Sequence, residues 1–144
     1  RRGIYQAHQV SAQVISRWVA RNPVDGRDLL NHNPSYVFFR EVNEVPADMG
    51  PLGAMNRSVT PGRSVAVDPR FVPYGAPVWL DLDRDVADGL WIAQDTGGAI
   101  KGANRFDTFW GAGDDARTSA GGMSGRGQAY ILLPKGTIAR LNSE

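Results

Sequence analysis

Cysteine is absent from this 144-residue chain, so disulfides and thiolate metal sites are excluded and no redox compartment is marked. Histidine is scarce. His8 and His32 stand far apart, and no metal or other cofactor is expected. His32, beside Asn33-Pro34, reads as a turn residue. No apolar run approaches the roughly 18 residues of a membrane-spanning helix. A net charge of +1 offers no basic surface for a polyanion, so nucleic acid is not an expected partner; neutral polymers and small ligands stay open. The chain opens on Arg1-Arg2-Gly3 with neither a methionine nor a signal-like apolar segment. It reads as a piece of a longer protein whose targeting segment lies outside it.

What is present is ordinary globular material. Hydrophobic residues make up 42% and charged residues 22%, enough for one packed domain, while 17 glycines and 9 prolines favour a β-rich, turn-rich fold. Residues 10–20 form the clearest helix, with Val10, Val14, Ile15, Trp18 and Val19 on one face. Ser11 is its candidate cap and Asn22-Pro23 its stop. A turn, "DGRDLLNHNP", is expected next, then a strand over "SYVFFREV". From Gly50 onward, short apolar runs alternate with Gly/Pro punctuation: "PLGAM", "RSVAVDP", "GAPVWLDL", "GLWIAQD" and "QAYILLP". That rhythm predicts a compact β-barrel or sandwich. The one boundary falls near residue 33, with residues 1–33 a helical leader and residues 34–144 the β body.

Several chemistries can be weighed on residues alone. "DTG" at Asp95-Thr96-Gly97 spells the aspartic-protease triplet, but that chemistry needs two carboxylates sharing a proton. With one triplet, the dyad would require a homodimer. "DLDRDVADG" places Asp81, Asp83 and Asp85 at the first three ligand positions of an EF-hand. Val86 and Ile92 then occupy the places of the required glycine and glutamate, so the segment reads as a solvated turn between strands. "GGAIKG" lacks the ending of a phosphate loop, and no serine lies in a Gly-x-Ser-x-Gly context. What remains is a glycine-rich loop bracketed by Asp95 and Asp107. Gly97, Gly98 and Gly102 allow close approach of backbone amides to a ligand. Phe106, Phe109 and Trp110 offer apolar faces to sugar rings, or a low-dielectric setting in which a neighbouring carboxyl could work as a general acid. The plainer alternative makes both aspartates turn acceptors and the aromatics core.

The segments "SVAVDPRFVPYGAPVWLD", "DTGGAIKGANRFDTFWGAG" and "AGGMSGRGQAYILLPK", with "LLNHNPSYVFFRE" and "GPLGAMN" before them, resemble the membrane-bound lytic transglycosylase A (MltA) family. The likeness centres on that family's C-terminal three-aspartate (3D) domain and runs from about residue 29 to 135. It implies a double-psi β-barrel that cleaves the β-1,4 MurNAc–GlcNAc bond of peptidoglycan to leave 1,6-anhydromuramoyl ends. The three aspartates fall on Asp68, Asp95 and Asp107, and the single acid/base falls on Asp107. One carboxyl suffices because the substrate's own C6 hydroxyl attacks, whereas ordinary glycosidases need two.

The same resemblance implies supporting roles for Asp95, which would orient Asp107 together with the amides of Thr96, Gly97, Gly98 and Ala99, and for Asp68, which would hold a turn. Lys101, Arg105 and Trp110 are further candidates for glycan contact. It also implies peptidoglycan strands as partner and a periplasmic, outer-membrane location with a lipid anchor outside this segment. Family members are longer, so residues 1–33 are expected to end an inserted region, and the remaining part of the protein is a further expected partner that would supply one wall of the glycan groove. A non-catalytic, expansin-like glycan-binding barrel is the alternative, and a dimeric aspartic protease a more distant one.

Overall fold

The computed structural model describes residues 3–34, 37–39, 41–46 and 48–143. The chain divides into two compact units, Arg1–Glu41 and Val42–Glu144.

In the first unit, a short 3-10 turn (Ala7–Gln9) precedes helix α1 (Ala12–Arg21). Ser11 caps α1 as expected: its hydroxyl accepts from the Val14 amide at 3.2 Å, satisfying one of the helix's unpaired donors. The predicted turn after Asn22 is instead a second helix, α2 (Pro23–Asn31). Proline at the first helical position loses no hydrogen bond and arrives with helical φ, so the residue that stops α1 also starts α2. Gly26 is buried between the helices, where a Cβ would lie 2.9 Å from the Val19 Cα. The strand expected over "SYVFFREV" is not found in the described part of that segment. Ser35, Tyr36 and Arg40 lie outside the described residues; Val37, Phe38 and Phe39 are exposed and carry no strand pairing. Propensity alone does not make a strand without a paired neighbour.

The second unit carries the sheet: β1 (Ser64–Ala66), β2 (Pro77–Leu82), β3 (Gly89–Asp95), β4 (Asp107–Thr108) and β5 (Gly127–Ile131). The strands lie in the order β4-β1-β3-β2-β5, with β1 parallel to β3 and the other pairs antiparallel. Each apolar run named after "PLGAM" becomes a strand, and "PLGAM" itself contributes a single bridge, Leu52 to Ser58. Alternation sorts the faces: Val78, Leu80, Trp91 and Ala93 are buried, while Trp79 and Asp81 point outward. Val65, Val67 and Val72 complete the centre of the core, which is built mainly from β-branched and small residues. Trp91 anchors it from β3. Its indole N–H donates to the Ala87 carbonyl at 2.9 Å, and its ring meets Trp110 edge-on with centroids 5.7 Å apart. Helix α3 (Asp114–Gly121) fills the β4–β5 connection, and α4 (Thr137–Leu141) follows β5.

Candidate active site

The three aspartates singled out in the sequence have three different environments. Asp68, directly after the β1 region, is 1% exposed. Its Oδ2 accepts from the Arg70 Nη2 at 2.6 Å and from the Gly102 amide at 2.9 Å; its Oδ1 accepts from the Arg70 amide and Nε, both at 3.1 Å. The Arg70 guanidinium, then the Gly102 amide, hold this carboxyl far below the usual carboxylate range, against the opposing effect of burial. Asp68 thus ties the "DPR" turn to the glycine-rich loop. Gly102 has φ of +103°, a conformation open to glycine and strained for other residues.

Asp95 ends β3. The β1–β3 register slips between Val65 and Ala66, so Asp95 rather than Gln94 stands opposite Ala66. Its Oδ1 accepts from the Ala54 amide at 2.9 Å, while the neighbouring Gln94 carbonyl accepts from the Met55 amide at 3.1 Å. Gly53 permits this approach, since a Cβ there would sit 2.6 Å from the Gln94 carbonyl oxygen. The "GPLGAM" segment is therefore pinned onto the end of β3 by Asp95.

Asp107 begins β4 and also pairs with Ala66, from the other side of β1. Asp95 and Asp107 are thus separated by two strand spacings, or about 10 Å. The Asp107 carboxylate is gripped by Arg105, Nε to Oδ1 at 2.6 Å and Nη2 to Oδ2 at 3.2 Å. Both side chains remain accessible, at 44% for Asp107 and 52% for Arg105. The carboxylate in turn holds the Arg105 guanidinium above its ordinary value, chiefly through these hydrogen bonds.

Asp107 and Arg105 open into a cleft of about 760 Å³, a volume suited to a few sugar rings. Phe106 and Trp110 contribute apolar surface on the same side. Trp110 is steadied by Trp91 and by its own N–H donating to the Thr108 hydroxyl at 2.9 Å. The opposite side comes from the α3–β5 connection and the start of β5: Met123, Ser124, Arg126 and Gln128. Asn104 reaches across, its Nδ2 donating to the Gly127 carbonyl at 3.4 Å. Among the described residues lining this cleft, Asp107 is the one acid. No cluster of three metal-ligating side chains occurs among the described residues.

The sequence candidates are therefore only partly gathered. Asp107, Arg105 and Trp110 share the cleft; Asp68, Asp95, Thr96, Gly97, Gly98, Ala99 and Lys101 do not line it. Residues 97–100 form a turn in which the Ile100 amide donates to the Gly97 carbonyl and the Ile100 side chain is buried. Gly98, Ala99 and Lys101 are exposed, and the Thr96 hydroxyl is buried without a hydrogen-bond partner. Met123, Ser124, Arg126 and Gln128 are not among the sequence candidates. The signal available for this side was the Gly125-Arg126-Gly127 triplet at the start of an apolar run.

Residues 63–133 match the 3D domain, and residues 1–40 match the MltA specific insert domain. The chain is similar to the membrane-bound lytic murein transglycosylase A of Vibrio cholerae, with 33% identity over 91% of this chain and 37% of that protein. Among solved structures, MltA from Neisseria gonorrhoeae superposes with a TM-score of 0.77 at 37% identity, covering 94% of this chain and 35% of that one. The lytic transglycosylase LtgG of Burkholderia pseudomallei is 44% identical, with a TM-score of 0.58 over 91% of this chain and 40% of that one. E. coli MltA with bound chitohexaose is 30% identical, with a TM-score of 0.64 over 80% of this chain and 36% of that one. The chain spans just over a third, 37%, of the length of the curated Vibrio relative.

Proposed function

Because the chain belongs to the membrane-bound lytic murein transglycosylase A family, we propose that it carries the catalytic portion of a peptidoglycan lytic transglycosylase, with Asp107 as acid and then base. The observation that supports this most is a single carboxylate in a cleft that Phe106 and Trp110 help to line. Two-carboxylate hydrolysis needs a second acid to act as nucleophile or to activate water, and the cleft offers none among its described residues. Attack by the substrate's own C6 hydroxyl removes that need, because an intramolecular nucleophile reaches effective molarities of about 10⁵ M or more.

In this mechanism, protonated Asp107 donates to the glycosidic oxygen as the MurNAc C1–O bond breaks. The C6 hydroxyl then bonds to C1, and its proton passes to the Asp107 carboxylate. The ring closes as 1,6-anhydroMurNAc, GlcNAc leaves with its hydroxyl, and Asp107 ends protonated as it began. Arg105 grips both Asp107 oxygens in the free chain, so glycan entry has to free one oxygen for the proton. After the first transfer, the same guanidinium stabilises the carboxylate. Asp95 and Asp68 act at a distance: Asp95 fixes the β3 end and "GPLGAM", Asp68 the loop leading to Asp107.

The bound chitohexaose of the E. coli relative supports a β-1,4-linked glycan as ligand. We read residues 34–144 as a double-psi barrel, supported by the mixed sheet with its parallel β1–β3 pair. We read residues 1–33 as the end of an inserted region, supported by the insert-domain match over residues 1–40. The relatives' designation as membrane-bound supports a place at the periplasmic face of the outer membrane. No helix among the described residues is long and apolar enough to cross a membrane. Incubating the chain with purified murein tests the proposal. Anhydro-muropeptides detected by mass spectrometry support it; glycan binding without any cleavage product supports the expansin-like alternative instead.

A further inference from the structure

Two arginines and one carboxylate line the cleft, and they are not equivalent. Arg105 is committed to Asp107 through two hydrogen bonds. Arg126, on the facing side, is exposed and forms no ion pair among the described residues. Its backbone is fixed on both sides: the Arg126 amide donates to the Asp83 Oδ1 at 2.8 Å, and the Asp83 amide donates to the Arg126 carbonyl at 2.9 Å. Gly127 lets this segment lie against β2, since a Cβ there would collide with the Asp81 carbonyl oxygen. The result is a side chain on a fixed backbone with an uncommitted guanidinium, in a cleft whose own carboxylate is already paired.

A neutral polysaccharide offers such a group only neutral acceptors, whereas a carboxylate adds charge to the hydrogen bonds. A peptidoglycan strand differs from a GlcNAc polymer by the lactyl arm of each MurNAc, which presents a carboxylate when free and, when amidated, carries a peptide with carboxylates of its own. We propose that Arg126 binds a carboxylate borne on the MurNAc substituent, making it a specificity-determining residue that distinguishes murein from uncharged β-1,4 glycans. The guanidinium fork matches a carboxylate in two-point geometry, and charge assistance makes such pairs stronger than neutral hydrogen bonds. Asp83 serves as its positioning residue. This inference rests on the glycan reading of the cleft.

The test uses ligands that lack the scissile bond, so binding is read without turnover. They are the GlcNAc–MurNAc disaccharide with a free lactyl carboxylate, the same disaccharide with its stem peptide, and neutral chitohexaose. Each is titrated by NMR against the wild-type chain, Arg126→Ala and Arg126→Lys, at low and high salt, with circular dichroism to confirm the fold. Arg126→Ala should weaken at least one carboxylate-bearing ligand by about tenfold and leave chitohexaose unchanged. Arg126→Lys should retain part of the affinity, and the difference should shrink with added salt. Which disaccharide responds tells the lactyl carboxylate from those of the peptide. Equal affinities for wild type and Arg126→Ala, or an equal loss for chitohexaose, would overturn the inference while leaving the glycan reading intact. A wild-type chain that binds none of the three removes both.

Discussion

A carboxylate withdrawn from water is stable only where donors replace its hydration, and Asp68 has them from Arg70 and Gly102. Its pKa in the folded chain lies below that of an unfolded Asp carboxyl, about 3.9. The stabilisation is therefore fully present above about pH 4 and is lost as pH falls toward the folded-state value. Asp68→Asn should melt several degrees below wild type at pH 7, with the gap narrowing below about pH 4. Thermal melts across that range check it; a pH-independent gap would mean that the charge contributes nothing. Asp107 is the opposite kind of residue, accessible and paired only locally with Arg105. Replacing it should leave the melting temperature nearly unchanged, which separates chemistry from folding.

At the scale of elements, β5 and the connection before it form one side of the cleft, and their register depends on Gly127 opposite Leu82. Gly127→Ala forces a Cβ into the β2 backbone, which has no flexible side-chain end to yield. The expected cost is about 1–3 kcal/mol in denaturant unfolding, together with weaker binding of carboxylate-bearing glycans as Arg126 moves. On the other side, Trp91 supports Trp110 and satisfies its own N–H on Ala87. Trp91→Ala should cost about 3–5 kcal/mol in the same measurement. A loss under 1 kcal/mol would show that the tryptophan pair is peripheral. Short apolar runs between glycines and prolines marked β1, β2, β3 and β5 in the sequence because burial on one face needs that pattern. β4 was not legible: two residues, Asp107 and Thr108, become a strand only by pairing with β1. The second helix was hidden for a related reason, since Pro23 signals a stop and a start alike.

Across the whole molecule, residues far apart in sequence meet because β1 stands between β3 and β4 while β5 returns to β2. That non-sequential order is set by long-range pairing, which local spacing does not encode. Asp107 could be singled out from its motif, whereas its distance from Asp95 and the facing Arg126 required the fold. The sequence also pointed to the Thr96–Lys101 loop as a ligand cradle; in the structure that loop buries Ile100, leaves Gly98, Ala99 and Lys101 exposed, and does not line the cleft of Asp107. Glycine-rich composition signals close approach without saying what approaches. The most direct test of the central claim is mass spectrometry of purified murein after incubation with the wild-type chain and with Asp107→Asn, both confirmed as folded. The account predicts 1,6-anhydro-muropeptides from wild type and none above background from the variant. Anhydro products from the Asp107→Asn chain, or hydrolysed reducing ends from wild type, would contradict it.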